Sequence, residues 1–229
     1  MKIKFGTVAE NITTRKEFPL KKAQQVLKGK TIAVLGYGIQ GPGQALNMRD
    51  NGFNVIVGQR KSTKANSSWL RAKKDGWVEG ETLFGIEEAA DKGDIIMMLV
   101  SDGSVPQVWK QIEQYVTPGK YLYFSHGFGL VYNKLTGIKP RKGVGCVMVA
   151  PKGSGTSVRR NFLSGAGINS SYAFEPREGK SIQTCRQQDE RIHRLGFRDF
   201  AGRAGIVPVH RGLRHGGLRL RYELPGQEG

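Results

Sequence analysis

Along the first 173 positions the apolar residues gather into short unbroken runs separated by amphipathic stretches, a pattern of buried strands alternating with helices. Thr31-Ile-Ala-Val-Leu35 is apolar and partly β-branched between Lys30 and a glycine turn, which predicts a strand covered on both faces of a parallel sheet. Phe53–Val57, Asp94–Val100, Lys120–Ser125 and Gly145–Ala150 have the same character. Between them, Phe18–Leu27 repeats its apolar residues at three and four and predicts a short helix. A second helix is predicted from Pro42 to Asp50, with proline in the first turn and Asn51-Gly52 as its stop. Another closes over Glu87–Lys92, and Val105–Tyr115 predicts one more. The expected fold is α/β: a doubly wound, Rossmann-like parallel sheet with helices on both faces and no internal repeat.

Directly after the first strand comes Gly36-Tyr37-Gly38-Ile39-Gln40-Gly41, a G-x-G-x-x-G that opens a helix. In that context the first glycine permits a tight turn, the second lets backbone amides approach a pyrophosphate, and the third lets helix and strand pack closely. The free N–H groups of the helix N-terminus favour the phosphate charge. About 20 residues on, where a ribose-binding carboxylate is expected for NAD, the chain reads Gly58-Gln59-Arg60-Lys61-Ser62-Thr63. Cationic and hydroxyl groups there favour the 2′-phosphate of NADP(H), although a charged surface loop would read the same.

Composition changes the picture mainly beyond residue 173. Residues 1–173 hold 18 lysines, 7 arginines and 12 acidic residues, whereas residues 174–229 hold 1 lysine, 10 arginines and 7 acidic residues. Three of the four histidines also fall in this second stretch, and its glycines and prolines interrupt any apolar period longer than about two turns. The chain therefore divides into a 1–173 dinucleotide-binding unit and a 174–229 divergent basic tail without a defined fold. The formal charge of +17 points to an anionic partner. The lysines are scattered over amphipathic patterns and not gathered with aromatics, so a nucleic-acid partner is not expected. Cys146 and Cys185 lack disulfide or zinc spacing and read as ordinary thiols. No run nears the roughly 20 apolar residues of a membrane span. Early charge without an apolar segment, and Glu10 and Glu17 near the start, make the cytoplasm the expected compartment.

Four segments together resemble ketol-acid reductoisomerase, the acetohydroxyacid isomeroreductase family of branched-chain amino-acid synthesis. They are Val34-Leu-Gly-Tyr-Gly-Ile-Gln-Gly-Pro-Gly-Gln-Ala-Leu-Asn-Met-Arg-Asp50, Gly58-Gln-Arg-Lys61, Tyr123-Phe-Ser-His-Gly-Phe-Gly129 and Met148-Val-Ala-Pro-Lys-Gly-Ser-Gly-Thr156. The likeness runs from the N-terminus to about Ala173. It implies that Gly36, Tyr37, Gly38, Ile39, Gln40 and Gly41 lie along the cofactor pyrophosphate, and that Arg60 and Ser62 hold the 2′-phosphate of NADP(H). Asp102 would face the cofactor, Gly155 would close over its nicotinamide side, and His126 would be the catalytic histidine. Lys152 would place a positive charge beside an acidic substrate or the phosphates. Where relatives carry a glutamine three residues after the aspartate, this chain has Val105.

The family implies an Mg2+-dependent alkyl migration followed by reduction of a small 2-acetohydroxy acid, 2-acetolactate or 2-aceto-2-hydroxybutyrate, in valine and isoleucine synthesis, and a homo-oligomer. The metal carboxylates of such enzymes lie in a second, helical domain with a D-L-x-G-E pattern. Asp199-Phe-Ala-Gly-Arg203 comes nearest but puts a cation at the second carboxylate, and Glu223–Glu228 has the wrong spacing and a proline. No metal ligand is therefore assigned. A shifted reading frame or truncation near residue 173 would account for both the changed composition and the lost pattern. The chain alone is expected to be weakly active or inactive, the alternative being a non-catalytic NADP-binding fragment.

Overall fold

The computed structural model describes the backbone of residues 2–5, 8–11 and 17–175. Two strands, β1 (Lys2–Phe5) and β2 (Val8–Asn11), pair as an antiparallel hairpin near the N-terminus. After α1 (Leu20–Val26) come β3 (Thr31–Leu35), α2 (Gln40–Asp50) and β4 (Asn54–Gly58). Then follow α3 (Ser68–Lys74), β5 (Leu83–Phe84), α4 (Ile86–Lys92), β6 (Ile95–Met98), α5 (Val105–Ile112) and β7 (Tyr121–Phe124). Two single turns, α6 (Phe128–Val131) and α7 (Asn133–Thr136), lead to β8 (Gly145–Pro151), α8 (Gly155–Leu163) and β9 (Ser170–Glu175). The tail calculated from composition, residues 176–229 of it, lies outside the described residues.

The seven strands β3 to β9 form one sheet in the order β5-β4-β3-β6-β7-β8-β9, all parallel except the final pair. The expected doubly wound sheet is present, and alternation along each strand explains it. Ile32 and Val34 point to the face covered by Ala23, Met48, Trp69 and Ala72, while Ala33 and Leu35 point to the face covered by Ala89, Val108 and Ile112. Each valine, leucine or isoleucine so buried contributes about 1.5–3 kcal/mol. That both faces are covered is why these strands read as continuous apolar runs.

Element boundaries differ from the sequence pattern by a few residues. β6 starts at Ile95 and not Asp94, whose carboxylate accepts hydrogen bonds from the Lys30 ammonium and the Thr31 amide, both at 2.8 Å. α2 begins at Gln40, two residues before the predicted proline, so that Gly41 falls within its first turn. α5 ends at Ile112, three residues short of Tyr115. The pattern missed α3, α8 and β9. The last of these runs antiparallel to β8 in register from Pro151↔Ser170 to Cys146↔Glu175, and so crosses position 173.

The chain leaves β3 for β4 on one side and returns to β6 on the other, so the strand order reverses between β3 and β6. Ligands of open α/β sheets sit at the carboxyl ends of strands beside such a switch point. Here that place is occupied by the glycine turn after Leu35 and the segment after Met98.

Candidate functional site

The three glycines of the turn are held to their roles by different contacts. Gly36 has φ +96°, a conformation that side chains resist, and a Cβ there would lie 2.8 Å from the Leu99 carbonyl oxygen. Gly41 packs its α-carbon onto the Gly36 carbonyl with no room for a side chain. Around Gly38 nothing lies within 4 Å of a would-be Cβ. Two glycines are thus needed for packing, and the middle one leaves a surface open to a ligand. The first turn of α2 has no acidic residue and no capping side chain at Ile39, leaving its N–H groups and positive dipole end suited to an anion.

Tyr37 is turned inward. Its hydroxyl donates to the Asp75 carboxylate at 2.8 Å and accepts from the Trp77 indole at 2.8 Å, and Trp77 stands edge-on at 6.4 Å. Burial, reinforced by the bond to Asp75, pushes the phenol well above its ordinary pKa, so it stays neutral. The Tyr37 amide donates to the Gln59 side-chain oxygen at 2.8 Å. Tyr37 therefore anchors the turn through its ring and its amide, and its side chain does not face the open side of the turn. Ile39 is 73% exposed. Gln40 donates its amide to the Gly153 carbonyl at 3.2 Å, joining the turn to the Pro151–Gly155 loop.

At the end of β4, Arg60 is exposed and Ser62 half-buried. The Ser62 hydroxyl accepts from the Lys64 amide at 3.3 Å, and its carbonyl accepts from the Ser67 hydroxyl at 3.2 Å. Lys61 and Lys73 converge on Glu79 at 2.7 and 3.3 Å, and their hydrogen bonds lower its pKa. The carboxylate that Lys61 of this loop reaches is thus engaged by two lysines.

Asp102 and His126, which follow β6 and β7, meet at 3.3 Å between carboxylate oxygen and Nε2, and both are exposed. A carboxylate in that place orients an imidazole for proton transfer. His126 also stands edge-on to Phe128 at 6.5 Å. Lys152 is exposed beyond β8, with its amide donating to the Asn169 carbonyl at 2.8 Å. Gly155 opens α8 and lies directly against the Ile39 backbone, while its own carbonyl meets Gly43 of α2. Val105, where a relative's glutamine was expected to reach the cofactor, is buried against α5's neighbours in the core. Gly36 to Gly41, Asp102, His126 and Gly155 are thereby drawn to one end of the sheet, and Arg60 and Ser62 flank it beyond β4.

Three polar side chains that sequence patterns passed over complete the arrangement. Gln59 fixes the Tyr37 amide, Gln44 bonds Ser125 and Tyr123 in the interior, and Arg71 donates to the Tyr37 and Gly38 carbonyls. Gln59 and Gln44 sat inside the quoted segments, but their partners lie 22 to 81 residues away in sequence, which no local pattern reveals. The residues suit a dinucleotide. They do not suit a two-metal centre, because among the described residues no three His, Cys, Asp or Glu side chains gather where they could hold an ion. Among those residues no helix is long and apolar enough to cross a membrane.

Comparison with known proteins agrees with this geometry. The family profile described as acetohydroxy acid isomeroreductase, NADPH-binding domain, matches residues 26–187. The ketol-acid reductoisomerase (NAD(+)) of Desulfosudis oleivorans is 56% identical over 180 residues, covering 78% of this chain and 50% of that protein. The mitochondrial ketol-acid reductoisomerase of Saccharomyces cerevisiae is 47% identical over 171 residues, covering 75% of this chain and 42% of its own. A solved NADH-preferring ketol-acid reductoisomerase from an uncultured archean superposes with TM-score 0.66 at 30% identity, covering 87% of this chain and 56% of that one. The chain spans about half the length of the curated relatives it matches. With the profile matching well over half of it, the chain belongs to the ketol-acid reductoisomerase family, through that family's NADPH-binding domain.

Proposed function

We propose that this chain is the cofactor-binding part of a ketol-acid reductoisomerase and binds NADPH in preference to NADH. The observation that carries this is the glycine turn: its middle glycine is open, it lies at the switch point beneath an uncapped helix, and Arg60 with Ser62 stands where NADH binders place a carboxylate. Two relatives are named for NAD(+) or NADH, so the preference rests on this chain's own loop.

In this role Gly38, Ile39 and the first turn of α2 hold the pyrophosphate, and Arg60 and Ser62 hold the 2′-phosphate. The bound nicotinamide supplies the reducing equivalents. His126, oriented by Asp102, moves a proton at a substrate oxygen, and Lys152 attracts the carboxylate of a 2-acetohydroxy acid. Gly155 fixes the floor beneath the nicotinamide side. The full reaction also asks for Mg2+ to stabilise charge during alkyl migration, and the described residues offer no site for it. Acting alone, the chain is then a cofactor-binding fragment with little turnover, in the cytoplasm and in a homo-oligomer, and any activity requires a separate partner carrying the metal carboxylates.

The test is calorimetric titration of the full chain with NADPH and NADH, followed by Mg2+-dependent NADPH oxidation with 2-acetolactate. Tighter NADH binding would overturn the cofactor preference. Turnover near about one per second, within the ordinary enzyme range, would show that the chain carries a metal site of its own.

A further inference from the structure

The short helix α3 touches the cofactor cradle three times. At its start the Ser67 hydroxyl donates to the Ser62 carbonyl and accepts from the Leu70 amide at 3.3 Å, tying the ribose loop to the helix. At its end the Asp75 carboxylate takes the Tyr37 hydroxyl. Between them Arg71 donates one guanidinium nitrogen to the Tyr37 carbonyl at 2.7 Å and to the adjacent Gly38 carbonyl, with its charge 5.7 Å from the centre of the Tyr37 ring.

The two carbonyls on one donor have a geometric result. The peptide bonds here are trans, and in a trans peptide the carbonyl and the following N–H point in opposite directions within one rigid plane. Drawing the Tyr37 and Gly38 oxygens toward Arg71 therefore turns the amides of Gly38 and Ile39 to the side away from it. Those are the amides of the open stretch of the turn. The same guanidinium neutralises two carbonyl dipoles whose negative ends would otherwise stand near a phosphate.

We propose that Arg71 is a positioning residue for the dinucleotide pyrophosphate: it aims the Gly38 and Ile39 amides at the anion by holding the carbonyls behind them. The proposal rests on the cofactor reading above and extends it to a residue outside the glycine motif. Because the pyrophosphate is common to NADPH and NADH, Arg71 serves both alike, whereas Arg60 distinguishes them.

The experiment uses the full chain and its Arg71→Ala and Arg71→Lys variants, titrated with NADPH, NADH and 2′-AMP, with thermal melting alongside. Arg71→Ala should weaken NADPH and NADH by a similar factor, about tenfold, as expected for loss of charge-assisted hydrogen bonds. Binding of 2′-AMP, which lacks the pyrophosphate, should not change. Arg71→Lys, which keeps a cationic donor, should recover most of the loss and serves as the test if the alanine variant does not fold. Unchanged dinucleotide binding overturns the proposal, and so does loss confined to NADPH. Parallel loss of 2′-AMP also overturns it, since that would mark a general collapse of the site. If the unaltered chain binds neither dinucleotide, the cofactor reading falls and the proposal with it; if it binds them and Arg71→Ala leaves binding intact, the proposal falls alone.

Discussion

The side-chain amide of Gln44 donates to the Ser125 hydroxyl at 2.9 Å across 81 residues of sequence. Its oxygen accepts from the Tyr123 hydroxyl, also at 2.9 Å. Gln44 belongs to the helix that opens at the glycine turn, and Ser125 immediately precedes His126. The helix that opens at the glycine turn and the strand end that carries His126 are therefore braced against each other through one buried amide. Burial keeps Tyr123 protonated far above the ordinary phenol range, so it remains a donor in this network.

Replacing Gln44 by Leu removes both bonds, and a third to the Gln40 side-chain oxygen at 3.3 Å, and leaves the Ser125 hydroxyl facing an apolar side chain. Tyr123 retains the Val149 carbonyl at 3.1 Å, which limits the damage. A loss of about 1–3 kcal/mol is expected, the usual cost of a buried polar group deprived of its partner. Urea unfolding of the two proteins measures it.

The glycines should separate stability from binding. Gly41→Ala drives a methyl group into the Gly36 carbonyl and should lower the melting temperature by several degrees, equivalent to about 1–3 kcal/mol of overpacking. Gly38→Ala meets no protein atom within 4 Å and should melt close to the unaltered chain, yet block the approach of a phosphate. Melting curves with and without NADPH read both effects at once.

Arg60→Asp reverses the charge where the 2′-phosphate is expected. NADPH should weaken by about 100-fold, the loss of a charge-assisted contact compounded by repulsion, while NADH changes far less or gains. Equal weakening of the two would mean that Arg60 does not read the ribose.

Acid should find Asp94. Burial alone would raise its pKa, but the hydrogen bonds from Lys30 and the Thr31 amide prevail and hold it below the ordinary carboxylate value. A depressed carboxylate contributes stability that is complete above its unfolded pKa of about 3.9 and is lost as pH falls through the lower folded value. Between pH 6 and pH 3 the unaltered chain should lose more stability than Asp94→Asn, as measured by urea midpoints.

What the sequence revealed and what it hid divide along a physical line. Strands β3, β6, β7 and β8 were legible because covering both faces of a parallel sheet demands unbroken apolar runs. The glycine turn was legible because only glycine tolerates φ +96° at Gly36 and the contact at Gly41. Helix α3 was not, since it presents only Trp69 and Ala72 to the interior in a single spaced pair, too little for a period. Strand β9 was hidden because an antiparallel edge strand with partly exposed residues lacks the apolar run of its neighbours. Tyr37 sits in the glycine turn, but nothing local announces that its ring turns inward to Asp75 and Trp77. Contacts of that kind, like those of Gln44, Gln59 and Arg71, join residues 22 to 81 positions apart and are set by the finished fold.

The backbone contact of Gly43 with Gly155 sets the smallest piece that can be cut from this protein. α2 opens directly after the glycine turn, but one side of it is covered by α8, which arrives more than a hundred residues later. Besides this backbone contact, Arg159 of α8 bonds the Asn47 side chain at 2.9 Å and the Asp50 carboxylate at 2.7 Å, so α2 loses packing and polar partners together if α8 is absent. A minimal cofactor-binding fragment must therefore run past Leu163, and a shorter one ending after β7 would expose the back of α2 and lose the turn that α2 supports.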